Sequence, residues 1–161
     1  MDTEQSKLIE SLYLEMFDKL MIYARASLED KALAEEAVQE TFHTACQKPE
    51  KLCSSPNPQG WLVITLRNTI RNMKSSRATA VRIVEKYLLT QLKEVSFSED
   101  RVQLNVLYKN VADTEEFKLL LEMAIEGKSH VEMAKSRGIT VSACKKRVQR
   151  AKEKLQKKLE V

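Results

Sequence analysis

Apolar residues in the first part of the chain recur every three to four positions, which is the period of an amphipathic helix. The positions that follow this period are Leu8, Ile9, Leu12, Tyr13, Met16, Phe17 and Leu20. They form one broad stripe and predict a first helix over residues 5–26. Such a helix buries its stripe against a partner, so the pattern predicts a packed helical domain at this end of the chain.

A second helix is expected to begin near Glu29 and Asp30, because acidic side chains are favourable at the N-terminal end of a helix. Its expected buried face consists of Leu33, Ala37, Val38, Thr41, Phe42 and Ala45. Its outer face consists of the polar side chains Glu35, Glu36, Gln39, Glu40 and His43. By chemistry alone, this outer face is the usual surface of a helix in contact with water.

The segment over 47–57 contains Pro49 and Pro56 and is expected to be poor in helix. A third helix starts after it, with Asn57 as N-cap and Pro58 at the first helical position. Its apolar stripe consists of Trp61, Leu62, Thr65, Leu66, Thr69, Ile70 and Met73. Its other face consists of Arg67, Asn68, Arg71, Asn72 and Lys74. The three helices together predict an N-terminal domain over 1–76.

The C-terminal part of the chain has the pattern of a helix-turn-helix. A helix over 114–127 comes first, and Ser129 with Glu132 forms the capping box of a short second helix. That helix ends at Gly138, because glycine readily adopts the left-handed conformation that ends a helix. A last helix follows over 140–159, with its threonine as N-cap.

The segment between these two parts contains apolar residues at helical spacing up to position 92, a break over 96–100 and a candidate short helix over 102–111. We read it as a structured linker. The expected fold is therefore all-α, with two small helical domains over 1–76 and 113–161, joined by a partly helical linker over 77–112.

The composition agrees with long helices, since the whole chain contains three Gly and three Pro and therefore few turn-forming residues. No apolar run approaches the roughly 18 residues that a membrane span needs. The acidic residues over 1–10 do not form a signal peptide. We therefore expect a cytoplasmic protein without membrane insertion, whose three cysteines are reduced.

The two ends of the chain carry opposite charge. Residues 1–46 contain ten acidic and four basic side chains, whereas residues 138–158 contain eight basic side chains and one acidic. A polarised chain of this kind can present its two ends to different partners. The basic end suits a polyanion.

The last helix is the strongest candidate for binding nucleic acid, because the second helix of this motif enters the major groove of DNA. Ile139, Val141, Cys144 and Val148 are expected to pack it against the preceding helix. The candidate DNA contacts are Ser142, Ala143, Lys145, Lys146, Arg147 and Arg150. Arg150, Lys152 and Lys154 are expected to contact the phosphate backbone. The alternative is a lysine-rich helix that faces water only.

The polar face of the third helix is the second candidate. Basic side chains interleaved with amides suit a phosphate backbone and unstacked bases. Trp61 has the chemistry to stack on a base, although its place on the apolar stripe favours the core.

Metal binding and catalysis have little support. His43, Cys46 and Cys53 lie near one another in sequence, but their spacing is not that of a tetrahedral site and a fourth ligand is missing. No phosphate-binding loop, glycine fingerprint or nucleophile elbow occurs. We therefore expect no enzyme activity, no metal and no cofactor.

Several segments resemble one family. Residues 30–42 read DKALAEEAVQETF, residues 61–68 read WLVITLRN, and residues 127–134 read GKSHVEMA. Residues 138–141 read GITV, and residues 145–151 read KKRVQRA. In this order they resemble the extracytoplasmic-function (ECF) sigma factors of bacterial RNA polymerase.

The resemblance implies roles that the residues alone do not assign. Glu36, Gln39, Glu40 and His43 would dock on the β′ clamp helices of core polymerase, and the β flap would be a second contact. The 47–57 loop and the residues Trp61, Arg67, Asn68, Arg71, Asn72 and Lys74 would capture a flipped base of the minus-ten element. The helix-turn-helix would read the minus-thirty-five element as duplex. An anti-sigma factor is a further partner that this family admits.

The chain departs from the family pattern at some positions. Arg137 stands where an apolar residue is typical, and Lys146 replaces a serine. Two alternatives therefore stay open: a helix-turn-helix regulator that binds duplex DNA without polymerase, and a helical adaptor whose basic helix binds an acidic protein.

Overall fold

The computed structural model describes the backbone of residues 1–95 and 114–159, and the side chains of residues 1–89 and 114–158. The elements in this part of the chain are α1 (Thr3–Leu28), α2 (Lys31–Gln47), α3 (Pro49–Cys53), α4 (Pro58–Val95), α5 (Glu115–Ala124), α6 (His130–Arg137) and α7 (Val141–Leu159). They are all α-helices, which confirms the predicted all-α class.

The chain divides into two compact units, Met1–Lys74 and Ser75–Val161. The prediction placed this boundary near 76, with a linker after it. Each unit has a hydrophobic core of its own, as expected for two small helical domains.

The first helix begins earlier than its apolar stripe predicted, because Asp2, which lies outside the stripe, caps its N-terminal end. The Asp2 carboxylate accepts a hydrogen bond from the Gln5 backbone N–H at 2.8 Å, and the Gln5 side chain accepts one from the Asp2 N–H at 3.1 Å. This reciprocal pair satisfies two N–H groups that the helix itself cannot bond. It extends α1 back to Thr3.

The second helix begins as predicted, with the Asp30 carboxylate accepting from the Leu33 N–H at 3.1 Å. Its buried residues are Ala34, Ala37, Val38, Thr41, Phe42 and Ala45. Leu33, which was predicted on the buried face, is only half-buried, and Ala34, which the prediction left out, is fully buried.

The prediction that 47–57 is poor in helix is wrong for residues Pro49–Cys53, which form α3. Pro49 occupies its first turn, where a missing N–H costs nothing. Pro49 and Leu52 are buried. Burial of these two side chains stabilises a helix that is too short to form by propensity alone.

The third predicted helix begins at the predicted residue. The Asn57 side chain accepts from the Gly60 N–H at 3.0 Å and so acts as the N-cap of α4. The helix continues to Val95, far beyond the predicted first domain. Leu62, Leu66 and Ile70 are buried in the core of the first unit.

The later part of α4 belongs to the second unit. Ala80, Ile83 and Val84 are buried in its core with side chains of α5, α6 and α7. The Tyr87 ring lies 5.2 Å from the ring of Phe117. This packing explains the apolar spacing seen in the linker sequence up to position 89. The predicted break over 96–100 and the predicted helix over 102–111 lie outside the described residues.

The described helices include none that is both long and apolar enough to cross a membrane.

Candidate nucleic-acid interface

The helix-turn-helix of the second unit has its helix ends where the sequence placed them. The Ser129 hydroxyl accepts from the Glu132 N–H at 3.1 Å and caps α6. Gly138 ends α6 with φ of 65°, a left-handed conformation that glycine adopts without strain. The Thr140 hydroxyl accepts from the Ala143 N–H at 3.1 Å and caps α7. The turn is therefore held by local hydrogen bonds at both of its ends.

One face of α7 packs α6 and α5 together. Cys144, Val148, Ala151 and Leu155 are buried in the core of this unit. Burial raises the pKa of the Cys144 thiol, as expected for a small core residue. The prediction that Val141 packs here is wrong, because Val141 is the first residue of α7 and its side chain is exposed.

The predicted DNA contacts lie on the remaining surface of α7. Ser142, Lys145, Lys146, Arg147 and Arg150 are exposed, and Ala143 is half-buried. These side chains gather positive charge on the outer side of one helix. Such a surface can bind phosphates and reach base edges from the N-terminal end of the helix.

The predicted phosphate contact of Lys152 is wrong for this structure. Its side chain is 8% exposed, and its ammonium donates hydrogen bonds to the Ser76 hydroxyl at 2.9 Å and the Ser76 carbonyl at 3.1 Å. Burial lowers the pKa of Lys152. Lys154 lies on the surface and donates to Glu116 at 2.8 Å, and this hydrogen bond lowers the pKa of the Glu116 carboxyl.

Arg137 joins the first helix of the motif to the helix before it. Its Nε donates to Glu115 and its NH1 group donates to Glu122, each at 2.8 Å. The hydrogen bond that Arg137 donates to Glu122 raises the pKa of Arg137 most. Burial opposes this effect, and the hydrogen bond donated to Glu115 adds to it. The guanidinium thus bridges two positions two turns apart on α5.

His130 lies at the first turn of α6 and is half-buried. Burial, together with the positive charges of Lys145 and Lys152, lowers the pKa of His130 to about 4. The imidazole is therefore neutral at physiological pH. This state adds no charge to the basic surface of α7.

The polar face of α4 lies on the first unit. Arg67, Asn68, Arg71, Asn72 and Lys74 are all exposed, while the opposite side of the same turns is buried in the core. Trp61 is half-buried and packs against that core, which agrees with its place on the apolar stripe. The residue as a whole is partly exposed.

The outer face of α2 also lies on the first unit. Gln39 and His43 are exposed, and Glu36 and Glu40 are half-buried. The Gln47 amide nitrogen lies 3.0 Å from His43 Nε2. All four side chains stand on one side of a helix whose other side is buried in the core.

Each of the three predicted sets of contact residues thus lies on a single helix. The sets on α2 and α4 belong to the first unit, and the set on α7 belongs to the second. The described residues contain no cluster of three metal-ligating side chains. Cys46 is exposed, Cys53 is half-buried and Cys144 is buried.

Sequence reasoning missed an apolar groove on the first unit, between α1 and α2. It is lined mainly by Met1, Ile9, Tyr13, Leu14, Phe42 and Cys46. Leu14 lies off the apolar stripe of α1 and is 78% exposed. Its apolar side chain on the polar side of an amphipathic helix is a signal of exposed apolar surface that the sequence does contain.

Two family models match the chain. The model for Sigma-70 region 2 matches residues 12–79, and the model for Sigma-70, region 4 matches residues 114–155. The second is of the kind typical of ECF sigma factors. The comparison with curated proteins found no match.

The region 2 match covers α2 and the polar face of α4, and the region 4 match covers the helix-turn-helix. A regulator that binds duplex DNA without polymerase is therefore not favoured. Both regions occur in one all-helical chain, in the order that the sequence segments predicted. The chain belongs to the sigma factors of bacterial RNA polymerase, and its type is ECF.

Proposed function

We propose that this sigma factor docks on core polymerase through the outer face of α2. The contacts are Glu36, Gln39, Glu40 and His43, and their partner is the pair of β′ clamp helices. The proposal is supported by their position on one side of α2, outside the hydrophobic core. Two carboxylates with an amide and an imidazole favour a basic, hydrogen-bonding partner surface.

The polar face of α4, with Trp61, captures an unpaired base of the minus-ten element. Arg67, Arg71 and Lys74 supply charge for the backbone of a single strand, while Asn68 and Asn72 supply donors and acceptors for a base edge. A base inside the duplex hides that edge, so the contact forms only when the base leaves the stack. Because this contact stabilises only the unpaired base, it favours the open promoter. No covalent bond has to form or break.

The helix-turn-helix reads the minus-thirty-five element as duplex. Ser142, Ala143, Lys145 and Lys146 lie toward the N-terminal end of α7, which is the end that meets base edges in this motif. Arg147 and Arg150 lie further along and suit phosphates. The β flap is the expected polymerase contact of this unit.

The observation that carries the proposal is the presence of two exposed basic faces, each on a helix whose opposite side is packed into a separate core. The factor acts in the cytoplasm with the polymerase and is not itself an enzyme. A protein that covered either face, such as an anti-sigma factor, would block the same contacts.

The experiment is a matched pair of double variants in the full chain. Gln39→Ala with Glu40→Lys should abolish co-purification with core polymerase. Lys146→Ala with Arg150→Ala should leave polymerase binding intact and lose affinity for duplex DNA.

A variant on α4 separates promoter melting from docking on the polymerase. Asn68→Ala should leave binding to core polymerase unchanged and reduce permanganate reactivity of thymines in the minus-ten region. Wild-type protein that ignores core polymerase would overturn the proposal. If both double variants lost polymerase binding equally, the assignment of the α2 face to polymerase and of the α7 face to DNA would be contradicted.

A further inference from the structure

The groove between α1 and α2 is an apolar surface that the contacts assigned so far do not use. Its volume is about 410 Å³, and most of its lining comes from apolar side chains. Leu14 and Met1 stand at its edge with most of their side chains exposed. Exposed apolar side chains grouped in one groove favour contact with another molecule, because burying them removes apolar surface from water.

The floor of the groove is held in place by aromatic contacts. The Tyr13 ring lies 4.9 Å from the Phe42 ring in an edge-to-face arrangement and 5.1 Å from the Phe17 ring. Such ring pairs add to the stability of the packing around them. The groove is therefore formed before a ligand arrives, which lowers the cost of binding.

The groove is continuous with the outer face of α2. Glu36, Gln39, His43 and Cys46 are separated by three, four and three residues, so they lie along one side of that helix. Cys46 lines the groove, and it is about 4.5 Å further along the helix axis than His43. A partner that covers the outer face of α2 meets the groove at its next turn.

We propose that an apolar side chain of the polymerase subunit that binds the outer face of α2 inserts into this groove. The inference rests on the proposed docking of α2. Continuity with that face selects this occupant, because one surface of the partner reaches both. The polar face then provides orientation and the groove provides buried apolar contact, a division common in protein interfaces.

The test is the affinity of the full chain for core polymerase, with substitutions at two exposed positions of α1. Leu14→Lys places a charge at the edge of the groove and should weaken binding at least tenfold. Leu14→Met keeps an apolar side chain and should stay within twofold of the wild type. Ile22→Lys is the matched control, since Ile22 is 72% exposed on the same helix and does not line the groove.

A second measurement follows the groove directly. Cys46 is exposed and should react with N-ethylmaleimide in the free protein, and saturating core polymerase should slow this reaction at least tenfold. Peptide mapping separates Cys46 from Cys53. This readout does not depend on the folding of any variant.

The results distinguish the groove from the docking face. Loss of binding in Gln39→Ala with Glu40→Lys, but not in Leu14→Lys, would overturn the groove and leave the docking face standing. The reverse pattern would overturn the docking face and, with it, the occupant proposed for the groove, since that occupant is the subunit that binds this face. Equal losses in Leu14→Lys and Ile22→Lys, or a Cys46 that stays reactive in the complex, would also overturn the groove.

A different occupant would show itself in solution. If the wild-type chain were dimeric and Leu14→Lys monomeric with unchanged affinity for polymerase, the occupant would be a second copy of this chain. That outcome would contradict the proposal.

Discussion

The ammonium of Lys152 on α7 donates to the hydroxyl and the carbonyl of Ser76 on α4, at 2.9 and 3.1 Å. This contact lies inside the second unit and removes one lysine from the basic surface of α7. Ser76 offers neutral oxygens, and no described carboxylate pairs with this ammonium. Lys152 therefore acts as a packing residue rather than as a DNA contact.

Replacing Lys152 should separate packing from DNA binding. Lys152→Met keeps the aliphatic stem and removes a desolvated charge, so the free energy of unfolding should stay the same or rise by about 1 kcal/mol. Affinity for a random-sequence duplex should change less than twofold. Lys146→Met, on the exposed side of α7, should weaken that affinity and lower the salt dependence by about one counterion.

Fluorescence anisotropy of a labelled duplex, repeated over a range of salt concentrations, measures both variants. If the DNA affinity of Lys152→Met depended less on salt than that of the wild type, Lys152 would have to leave Ser76 and bind DNA.

The bridge from Arg137 to Glu115 and Glu122 should contribute to the stability of the second unit. Arg137→Ala removes two charge-assisted hydrogen bonds at a site that is 15% exposed, and should lower the free energy of unfolding by about 2 kcal/mol. Arg137→Met keeps the aliphatic stem of the side chain and should lower it by less. Urea denaturation followed by circular dichroism measures the difference. Equal stability of the wild type and Arg137→Ala would show that the bridge contributes nothing.

Gly138 should tolerate asparagine better than alanine. Its φ of 65° lies in the left-handed region, and a Cβ there would meet no atom within 4 Å. The cost of Gly138→Ala is therefore conformational and should be about 1 kcal/mol. Gly138→Asn should cost less, because asparagine enters this region more readily. Thermal denaturation of the two variants gives the order, and a larger loss for asparagine would contradict this explanation.

Acidification should destabilise the second unit through His130. Its pKa is about 4 in the folded protein, against about 6.5 when unfolded. Below pH 6.5 the unfolded chain takes up a proton that the folded chain refuses, so stability falls as pH falls toward 4. Because the ring is partly exposed, the expected loss between pH 6.5 and 5 is about 1 kcal/mol.

His130→Gln should remove this part of the pH dependence. Urea denaturation at pH 7 and pH 5 measures it in the wild type and the variant. If the free energy of unfolding of His130→Gln fell between pH 7 and pH 5 as much as that of the wild type, the pH dependence would come from other groups.

The elements that the sequence predicted best are those with local signals. Asn57, Ser129, Gly138 and Thr140 mark helix ends by hydrogen bonds or backbone conformation within four residues, and the structure has each of them in its predicted role. Helical spacing likewise located the buried sides of α1, α2 and α4. These features depend on nearest neighbours along the chain, which a sequence displays directly.

The features that the sequence did not predict depend on distant partners. Lys152 looks like any other lysine of a basic helix until Ser76, 76 residues away, comes into contact with it. The α3 helix forms because Leu52 is buried, and Arg137 is accommodated because two acids stand on α5. The groove requires side chains from both α1 and α2. Spacing along one helix cannot reveal such pairings.

The most direct test of the account is run-off transcription with core polymerase on a library of genomic promoter fragments. Addition of this protein should produce discrete transcripts that core polymerase alone does not make. Gln39→Ala with Glu40→Lys should abolish them. If the wild-type protein bound DNA and produced no transcript from any fragment, its assignment as a promoter-directing factor would be contradicted.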